Sequence, residues 1–233
     1  QTYTGASTLS TDTTLTTTSS NVTFGGTVDS DAALTKRDLT IDTGGTTATI
    51  QFVGAVGDTV PLDVITITGN LDLNAGIANA AGITVQSDMT VNEDITTTGA
   101  QTYNGDVIVA GDAVLTTTNS KITFNGTVNS ESSEANDLGL VVGTSEVEFN
   151  GIVGGVANGG LGAIAITGAL NLDAAISSAT SLSVSTTSDL GASVTTSGAQ
   201  SYTGNVTISA DVSITTSGGN VTFDGNVNTN LSA

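Results

Sequence analysis

The chain has 233 residues and a formal net charge of −19, because 22 acidic residues face only 3 basic ones, and it contains no Cys and no His. Without thiol and imidazole side chains it can form neither disulfides nor Ser-His-Asp triads nor zinc sites built on Cys and His. The acidic surplus excludes nucleic acid and anionic membranes by repulsion, and no apolar run is long enough for membrane insertion.

All eight aromatic residues belong to one motif, aromatic-x-Gly-x-Val, and only the first copy departs from it, with Ser7 in place of Val. In chain order the copies begin at Tyr3, Phe24, Phe52, Tyr103, Phe124, Phe149, Tyr202 and Phe223. Because the rings are few and evenly distributed, we predict that all eight belong to the structural core. The alternative is that they form a stacking platform for a sugar or a nucleobase.

The three Tyr copies define a longer period. The text around Tyr3, Tyr103 and Tyr202 nearly repeats, with Gln two positions before each ring, so the unit is 99 or 100 residues long. Such a period is the signature of a repeat architecture. We predict one continuous rod divided into residues 1–100, residues 101–199 and a partial third repeat, residues 200–233.

Within a unit, short segments alternate apolar and polar side chains, as in Ile122-Thr123-Phe124, and turn residues separate them. Matched apolar positions across one unit are Tyr103, Phe124, Phe149, Ile166, Val184 and Tyr202, which gives five intervals of 17 to 25 residues. We therefore predict an all-β parallel β-helix (β-solenoid) of about 20-residue coils, five coils per 99–100-residue repeat. The alternative is a tandem of antiparallel β-sandwiches, one per unit.

Unit length varies at only two places, which we predict to be excursions from the regular body. They are residues 29–38 and 57–63, with counterparts near 130–138 and 155–162. Variable loops on a rigid scaffold are the usual location of binding residues. The first excursion concentrates mixed charge and two of the three basic residues, so its predicted ligand-binding residues are Asp29, Asp31, Lys36, Arg37 and Asp38.

Carboxylates are the remaining candidates for catalysis. Glycoside hydrolysis requires a pair of carboxylates, and the sequence offers Glu146 with Glu148, or Glu93 with Asp94. However, successive side chains of a strand point to opposite faces. If Val147 points into the core, the two glutamates beside it lie on the solvated outer face. We predict that the chain is not an enzyme and has no cofactor, although weak Ca²⁺ binding without a specific site is compatible with its acidity.

Threonine runs such as residues 13–18 suggest a flat hydroxyl-bearing face of the kind that binds ice. The position of Thr66 in the first unit is taken by Ala165 in the second. From this mismatch we expect no regular threonine row in adjacent coils, and therefore no ice-binding face.

Three phrases carry a resemblance to a known family: residues 97–105 (TTGAQTYNG), 220–227 (NVTFDGNV) and 39–45 (LTIDTGG). They resemble the repeats of filamentous-haemagglutinin-like giant bacterial surface proteins (adhesins). The resemblance implies a right-handed parallel β-helix, export across the outer membrane, and an extracellular or cell-surface location. It implies a role as adhesin shaft, surface fibre or surface layer, and it carries over no catalytic residue. Because residue 1 lies inside a repeat phrase, we expect the sequence to be part of a longer chain.

Two functions follow as hypotheses. The first is an extracellular structural rod that associates with itself into a fibre or continues into the same long chain. The second is an adhesin segment that binds host or environmental glycans, or a receptor, through the variable excursions, of which residues 29–38 contain the predicted ligand-binding residues.

Overall fold

The computed structural model describes residues 1–45 and 47–230, and the regular structure of these residues consists of β-strands without a helix. In chain order the strands are β1 (Thr2–Tyr3), β2 (Ser7–Leu9), β3 (Thr13–Thr16), β4 (Val22–Phe24), β5 (Val28–Ser30), β6 (Leu39–Asp42), β7 (Thr49–Phe52), β8 (Leu62–Thr68), β9 (Asn70–Leu73), β10 (Ile77–Val85), β11 (Met89–Val91), β12 (Ile95–Thr97), β13 (Gln101–Tyr103), β14 (Val107–Val109), β15 (Ala113–Thr117), β16 (Ile122–Phe124), β17 (Val128–Ser130), β18 (Leu138–Phe149), β19 (Leu161–Leu172), β20 (Ile176–Val184), β21 (Ser188–Leu190), β22 (Val194–Thr196), β23 (Gln200–Tyr202), β24 (Val206–Ile208), β25 (Ile214–Thr216), β26 (Val221–Phe223) and β27 (Val227–Thr229).

Successive strands turn around a common axis and form three faces. Face I begins with β1, β4 and β7, face II with β2 and β5, and face III with β3, β6 and β8. Every strand pair is parallel, and each strand pairs with its counterpart in the coil before and after. The long strands β10, β18, β19 and β20 turn a corner and serve two faces, while single bridges at Val56 and Val153 complete faces II and I.

The architecture is therefore a parallel β-solenoid of about 11 coils, with equivalent strands roughly 21 residues apart. This confirms the predicted fold class and coil length, and the sandwich alternative is wrong because no antiparallel pair occurs among the described strands. With about 4.8 Å between paired strands, the described coils make a rod about 50 Å long.

One element of the prediction needs correction, namely the number of coils per unit. Tyr3 lies on face I, Tyr103 on face III and Tyr202 on face II, so one unit spans fourteen strand positions, or four and two-thirds coils. The matched positions Phe149 and Ile166 were counted one coil apart, but Phe149 is on face III and Ile166 on face II of the next coil. That interval crosses only two strands, because part of its length is an excursion that adds residues without adding a strand.

The rings stack in three short columns, one for each unit. Ring centroids are 4.9 Å apart for Tyr3 and Phe24, and the remaining distances are 5.3 Å for Phe24–Phe52, 5.2 Å for Tyr103–Phe124, 5.1 Å for Phe124–Phe149 and 5.1 Å for Tyr202–Phe223. Tyr3 and Phe223, in the first and last coils, are half-buried, while the other six are buried. These six buried rings have no surface open enough to serve as a platform for a sugar or a base.

The glycine two positions after each ring allows successive coils to approach closely. A Cβ atom on Gly126 would lie 2.2 Å from the carbonyl oxygen of Gly105, and one on Gly151 would lie 2.0 Å from that of Gly126. No side chain fits at these distances. The ring and the glycine of the motif are thus both parts of the stacking, one inside the rod and the other at its corner.

Phe124→Ala tests the stacking energy. Phe124 is 1% exposed and has a ring on each side, so we expect the substitution to lower the free energy of unfolding by about 3 to 5 kcal/mol. The matched control is Thr102→Ala, at an outward position beside Tyr103, for which we expect a change within about 0.5 kcal/mol. Urea denaturation followed by circular dichroism measures both, and equal effects would contradict a core role for the ring.

Candidate functional site

The predicted excursions form two protrusions on the edges of the rod. The first protrusion consists of residues 31–38 and 57–61, which lie in neighbouring coils and stack on each other. The Ser30 amide donates to the Val60 carbonyl at 3.2 Å, and Oδ1 of Asp29 accepts from the amides of Thr59 and Val60 at 2.9 and 3.0 Å. Asp29 was predicted to bind a ligand, but its carboxylate instead joins the strand before the first excursion to the backbone of the second excursion by hydrogen bonds.

Arg37 and Asp31 form a two-point ion pair within the first protrusion. Nε of Arg37 donates to Oδ1 at 2.8 Å, and Nη2 donates to Oδ2 at 3.2 Å. This hydrogen bonding lowers the pKa of the Asp31 carboxyl and raises the pKa of the Arg37 guanidinium. The charged groups of Arg37 and Asp31 thus bind each other rather than an external ligand.

Asp38 has a structural role as well. Its Oδ1 accepts from the Val64 amide at 3.0 Å, while its own amide donates to Oδ1 of Asp12 at 3.2 Å. The three residues lie in successive coils, so Asp38 bridges the coil on each side. Of the five predicted ligand residues, only Lys36 makes no side-chain hydrogen bond or ion pair in the part of the chain that the structure describes.

The second protrusion, residues 131–137 and 154–160, repeats this construction. The Asp137 amide donates to Oδ1 of Asp112 at 2.8 Å, and Oδ1 of Asp137 accepts from the Ala163 amide at 2.6 Å. Oδ1 of Asn129 accepts from the Val156 amide at 3.2 Å, as Asp29 does in the first protrusion. Since the same bonds hold both protrusions, the shared acidic residues belong to the scaffold.

The two protrusions differ at their tips. In the first, the Thr35 amide donates to the Ala32 carbonyl at 3.3 Å and closes a turn that carries Leu34. In the second, the equivalent turn joins Glu134 to Glu131 at 3.0 Å and has two serines at its tip. Leu34 is 101% exposed. An apolar and basic tip on one protrusion and an acidic and hydroxylated tip on the other are the features that distinguish the two units.

The carboxylate pair Glu146 and Glu148 lies on the outer surface, as the strand alternation predicts. Nζ of Lys121 is 2.5 Å from Oε1 of Glu146 and 3.6 Å from Oε2 of Glu148. The hydrogen bond to Glu146 raises the pKa of Lys121. In the other pair, Oδ1 of Asp94 accepts from the Val114 amide at 2.8 Å, so it too holds neighbouring coils together.

A buried polar network supports each complete tyrosine site, and the sequence interpretation did not anticipate it. Gln101 Nε2 donates to Oγ1 of Thr97 at 3.2 Å and to the Thr116 carbonyl at 2.9 Å. The Tyr103 hydroxyl donates to Oε1 of Gln101 at 2.9 Å. The same three bonds join Gln200 to Thr196 (3.2 Å), Thr215 (2.8 Å) and Tyr202 (3.0 Å). The sequence signal was the Gln two positions before each Tyr, because a buried amide needs several hydrogen-bond partners and the ring hydroxyl two residues away is one of them.

Contrary to expectation, face III carries an unbroken row of outward threonines in six adjacent coils. The row consists of Thr14, Thr40, Thr66, Thr84, Thr102 and Thr123. The comparison of Thr66 with Ala165 missed it, because these residues lie on different faces. The next outward file is mixed, with Thr16, Asp42 and Thr68 in register. One regular file does not make the two-dimensional array that an ice surface would match.

An open groove runs along face I from the fourth coil to the eighth. Its larger part has a volume of about 460 Å³ and is lined by Thr90, Asp106, Ile108, Thr127, Asn129, Ser130, Glu131, Ser132 and Val156. A continuation of about 380 Å³ adds Asp72 and Asp88. The groove therefore has an apolar patch, several carboxylates and no cation among its lining residues.

Within residues 1–45 and 47–230, no group of three or more carboxylates is arranged to hold a metal ion. The same residues include no helix of the length and apolarity needed to span a membrane. A scan against protein-family models finds no match, and searches of curated proteins and of solved structures also find none.

The buried tyrosines predict a sensitivity to alkaline pH. Burial raises the pKa of Tyr103 and of Tyr202, whereas a phenol in the unfolded chain ionises near pH 10. The folded-state pKa is the higher one, so the stability contributed by these neutral phenols is complete below about pH 10 and is lost as the pH rises above it.

We therefore expect the tyrosinate absorbance of Tyr103 and Tyr202 to appear together with the loss of β-sheet circular dichroism. The control is the double variant Tyr103→Phe and Tyr202→Phe, in which the coupled part of the absorbance change is missing. Ionisation of all tyrosines with unchanged circular dichroism would contradict the buried network.

Proposed function

We propose that the chain is a structural rod of an extracellular bacterial surface protein, and that it serves as the shaft of an adhesin, a surface fibre or a surface layer. The observation that carries the proposal is the use of its polar groups. Two of the candidate carboxylates pair with a cation of the rod itself, Asp31 with Arg37 and Glu146 with Lys121. The other three accept hydrogen bonds from backbone amides of a neighbouring coil, and they are Asp29, Asp38 and Asp94. Because these carboxylates are engaged in contacts within the rod, their arrangement favours a scaffold over a catalyst.

The charge and the phrase resemblance support the same role. A net charge of −19 keeps a chain of paired strands soluble and discourages pairing of its exposed sheet edges. The similarity to filamentous-haemagglutinin-like repeats supports an extracellular, cell-surface location and a bacterial source. In this role the rod needs no cofactor, and its partners are copies of itself or a continuation of the same chain.

Removal of one unit tests the rod. Deletion of residues 104–202 joins Tyr103 to Thr203 and reproduces a junction that already exists between units. We expect the variant to keep its β-sheet circular dichroism and to be shorter by four and two-thirds coils, or about 22 Å. Small-angle X-ray scattering of the variant and the full chain measures the change. Loss of cooperative folding, or an unchanged rod length, would contradict the proposal.

The alternative function is glycan or receptor binding through residues 29–38, and the exposed tip with Leu34 and Lys36 is the observation that favours it. The two protrusions offer a matched variant, in which residues 31–38 are replaced by residues 131–137. The replacement keeps the aspartate that bonds to both neighbouring coils but removes Leu34, Lys36 and the Arg37–Asp31 ion pair. If the alternative holds, a glycan array should show binding by the original chain and none by the variant. Equal signals from both would reject it.

A further inference from the structure

The tip of the first protrusion carries one apolar and one cationic side chain that the rod itself does not use. Leu34 is 101% exposed. Of the three basic residues, Arg37 pairs with Asp31 and Lys121 with Glu146, while Lys36 has no ion-pair partner among the described residues. A single exposed leucine is ordinary by itself. The inference depends on a second surface, which complements this tip in shape and charge.

That second surface is the groove on face I. Its apolar part is formed by Ile108 and Val156, which are 42% and 55% exposed. Asp106 and Glu131 lie beside them, and the volume there is about 460 Å³. The groove thus presents an apolar patch next to two carboxylates that have no ion-pair partner among the described residues, and Oδ1 of Asp106 also accepts from the Thr127 amide at 2.8 Å. The tip presents an apolar side chain two residues from an ammonium group that likewise has no ion-pair partner there.

The tip and the groove of one chain cannot meet. The first protrusion projects from the edge between faces II and III, in the second and third coils. The groove lies on face I, which is opposite that edge in a three-sided coil, and it is centred on the sixth coil. A rigid solenoid fixes this relation, so the tip can reach only the groove of another molecule.

We propose that the tip of the first protrusion docks into the face I groove of a second copy of this chain, with Leu34 against Ile108 and Val156 and with Lys36 beside Asp106 and Glu131. The proposal deepens the proposed structural role by naming a lateral contact between rods. Because tip and groove lie on opposite sides, the contact is heterologous: each rod offers a tip to one neighbour and a groove to the next. In the arrangement in which the two rods run parallel, they would be offset by about four coils, or about 20 Å.

Two physical terms decide the strength of this contact. The tip is far smaller than the roughly 1,200 Å² that a stable interface buries in total, so a single contact is weak and reversible. Two rods that each carry −19 also repel each other over a Debye length of about 30 Å at 0.01 M salt, but over only about 8 Å at 0.15 M. The docked state should therefore be more populated at 0.15 M than at 0.01 M salt.

Mixed disulfide formation tests the proposal, and the absence of native cysteine makes the readout unambiguous. Leu34→Cys and Val156→Cys chains are mixed at 0.15 M salt and oxidised with a copper catalyst. The matched control replaces Val156→Cys by Val114→Cys, which changes a similarly exposed valine at the level of the sixth coil on face II. We expect at least fivefold more cross-linked heterodimer from the first pair. Adding Lys36→Glu to the Leu34→Cys chain should lower that yield several-fold, while circular dichroism shows that each variant is folded.

Each alternative gives a different outcome. Equal yields from the two pairs, or predominant Leu34→Cys homodimer, would overturn the proposed docking. A synthetic Ala-Leu-Thr-Lys peptide that binds the groove while the rods stay monomeric in sedimentation velocity would also overturn it, and would indicate a foreign basic partner. Since all chains compared are full-length and folded, failure of docking leaves the rod itself intact, and the unit deletion tests the rod separately.

Discussion

Every coil of this protein is held by backbone hydrogen bonds to the coils before and after it, and this parallel stacking constrains everything else. Each strand pairs only with the equivalent strands of adjacent coils. Every side chain must therefore fit against the side chain at the same position of the next coil, about 4.8 Å away. Inside the rod that requirement selects side chains that stack on their own kind, such as Leu39, Ile65 and Ile83 on face III. At the corners it selects glycine, since Gly126 and Gly151 leave no space for a Cβ atom.

The same constraint explains where the polar groups are used. A corner that turns between faces leaves backbone amides without a strand partner, and a short acidic side chain from the adjacent coil can accept from them, as Asp38 and Asp137 do. A strongly acidic composition therefore reflects internal bonding as well as solubility. In the core, Gln101 and Tyr103 satisfy each other because an unpaired polar group there would cost about 1 to 3 kcal/mol.

Much of this architecture could be predicted from the sequence, because stacking repeats residue types at fixed intervals. The aromatic motif predicted the coils, and the length differences between units predicted the two protrusions. The number of strands per unit could not be predicted from spacing alone. Phe149 to Ile166 covers 17 residues and two strands, whereas Ile166 to Val184 covers 18 residues and a full coil. An excursion and a strand contain similar numbers of residues, so the spacing of motifs cannot distinguish them. Only the strand pairing seen in the structure does so.

The fourteen-strand unit also changes how the surface should be interpreted. Because equivalent positions of successive units fall on different faces, residues that match in sequence are not neighbours in space, and the threonine row on face III has no counterpart in the repeat. For the same reason the two protrusions project from different edges. Features of the surface must therefore be compared along a face, from coil to coil, rather than from unit to unit.

Disulfide pairing on face III would test this central claim most directly. In the fourteen-strand unit Glu148 is paired with Asn171 in the next coil, at a separation of Cα atoms that suits a disulfide. If each unit instead held five coils, Phe149 would stack on Ile166 and Glu148 would lie beside Ala165. We predict that the variant with Glu148→Cys and Asn171→Cys oxidises within one chain and stays folded, and that the variant with Glu148→Cys and Ala165→Cys does not. The reverse result would contradict the account.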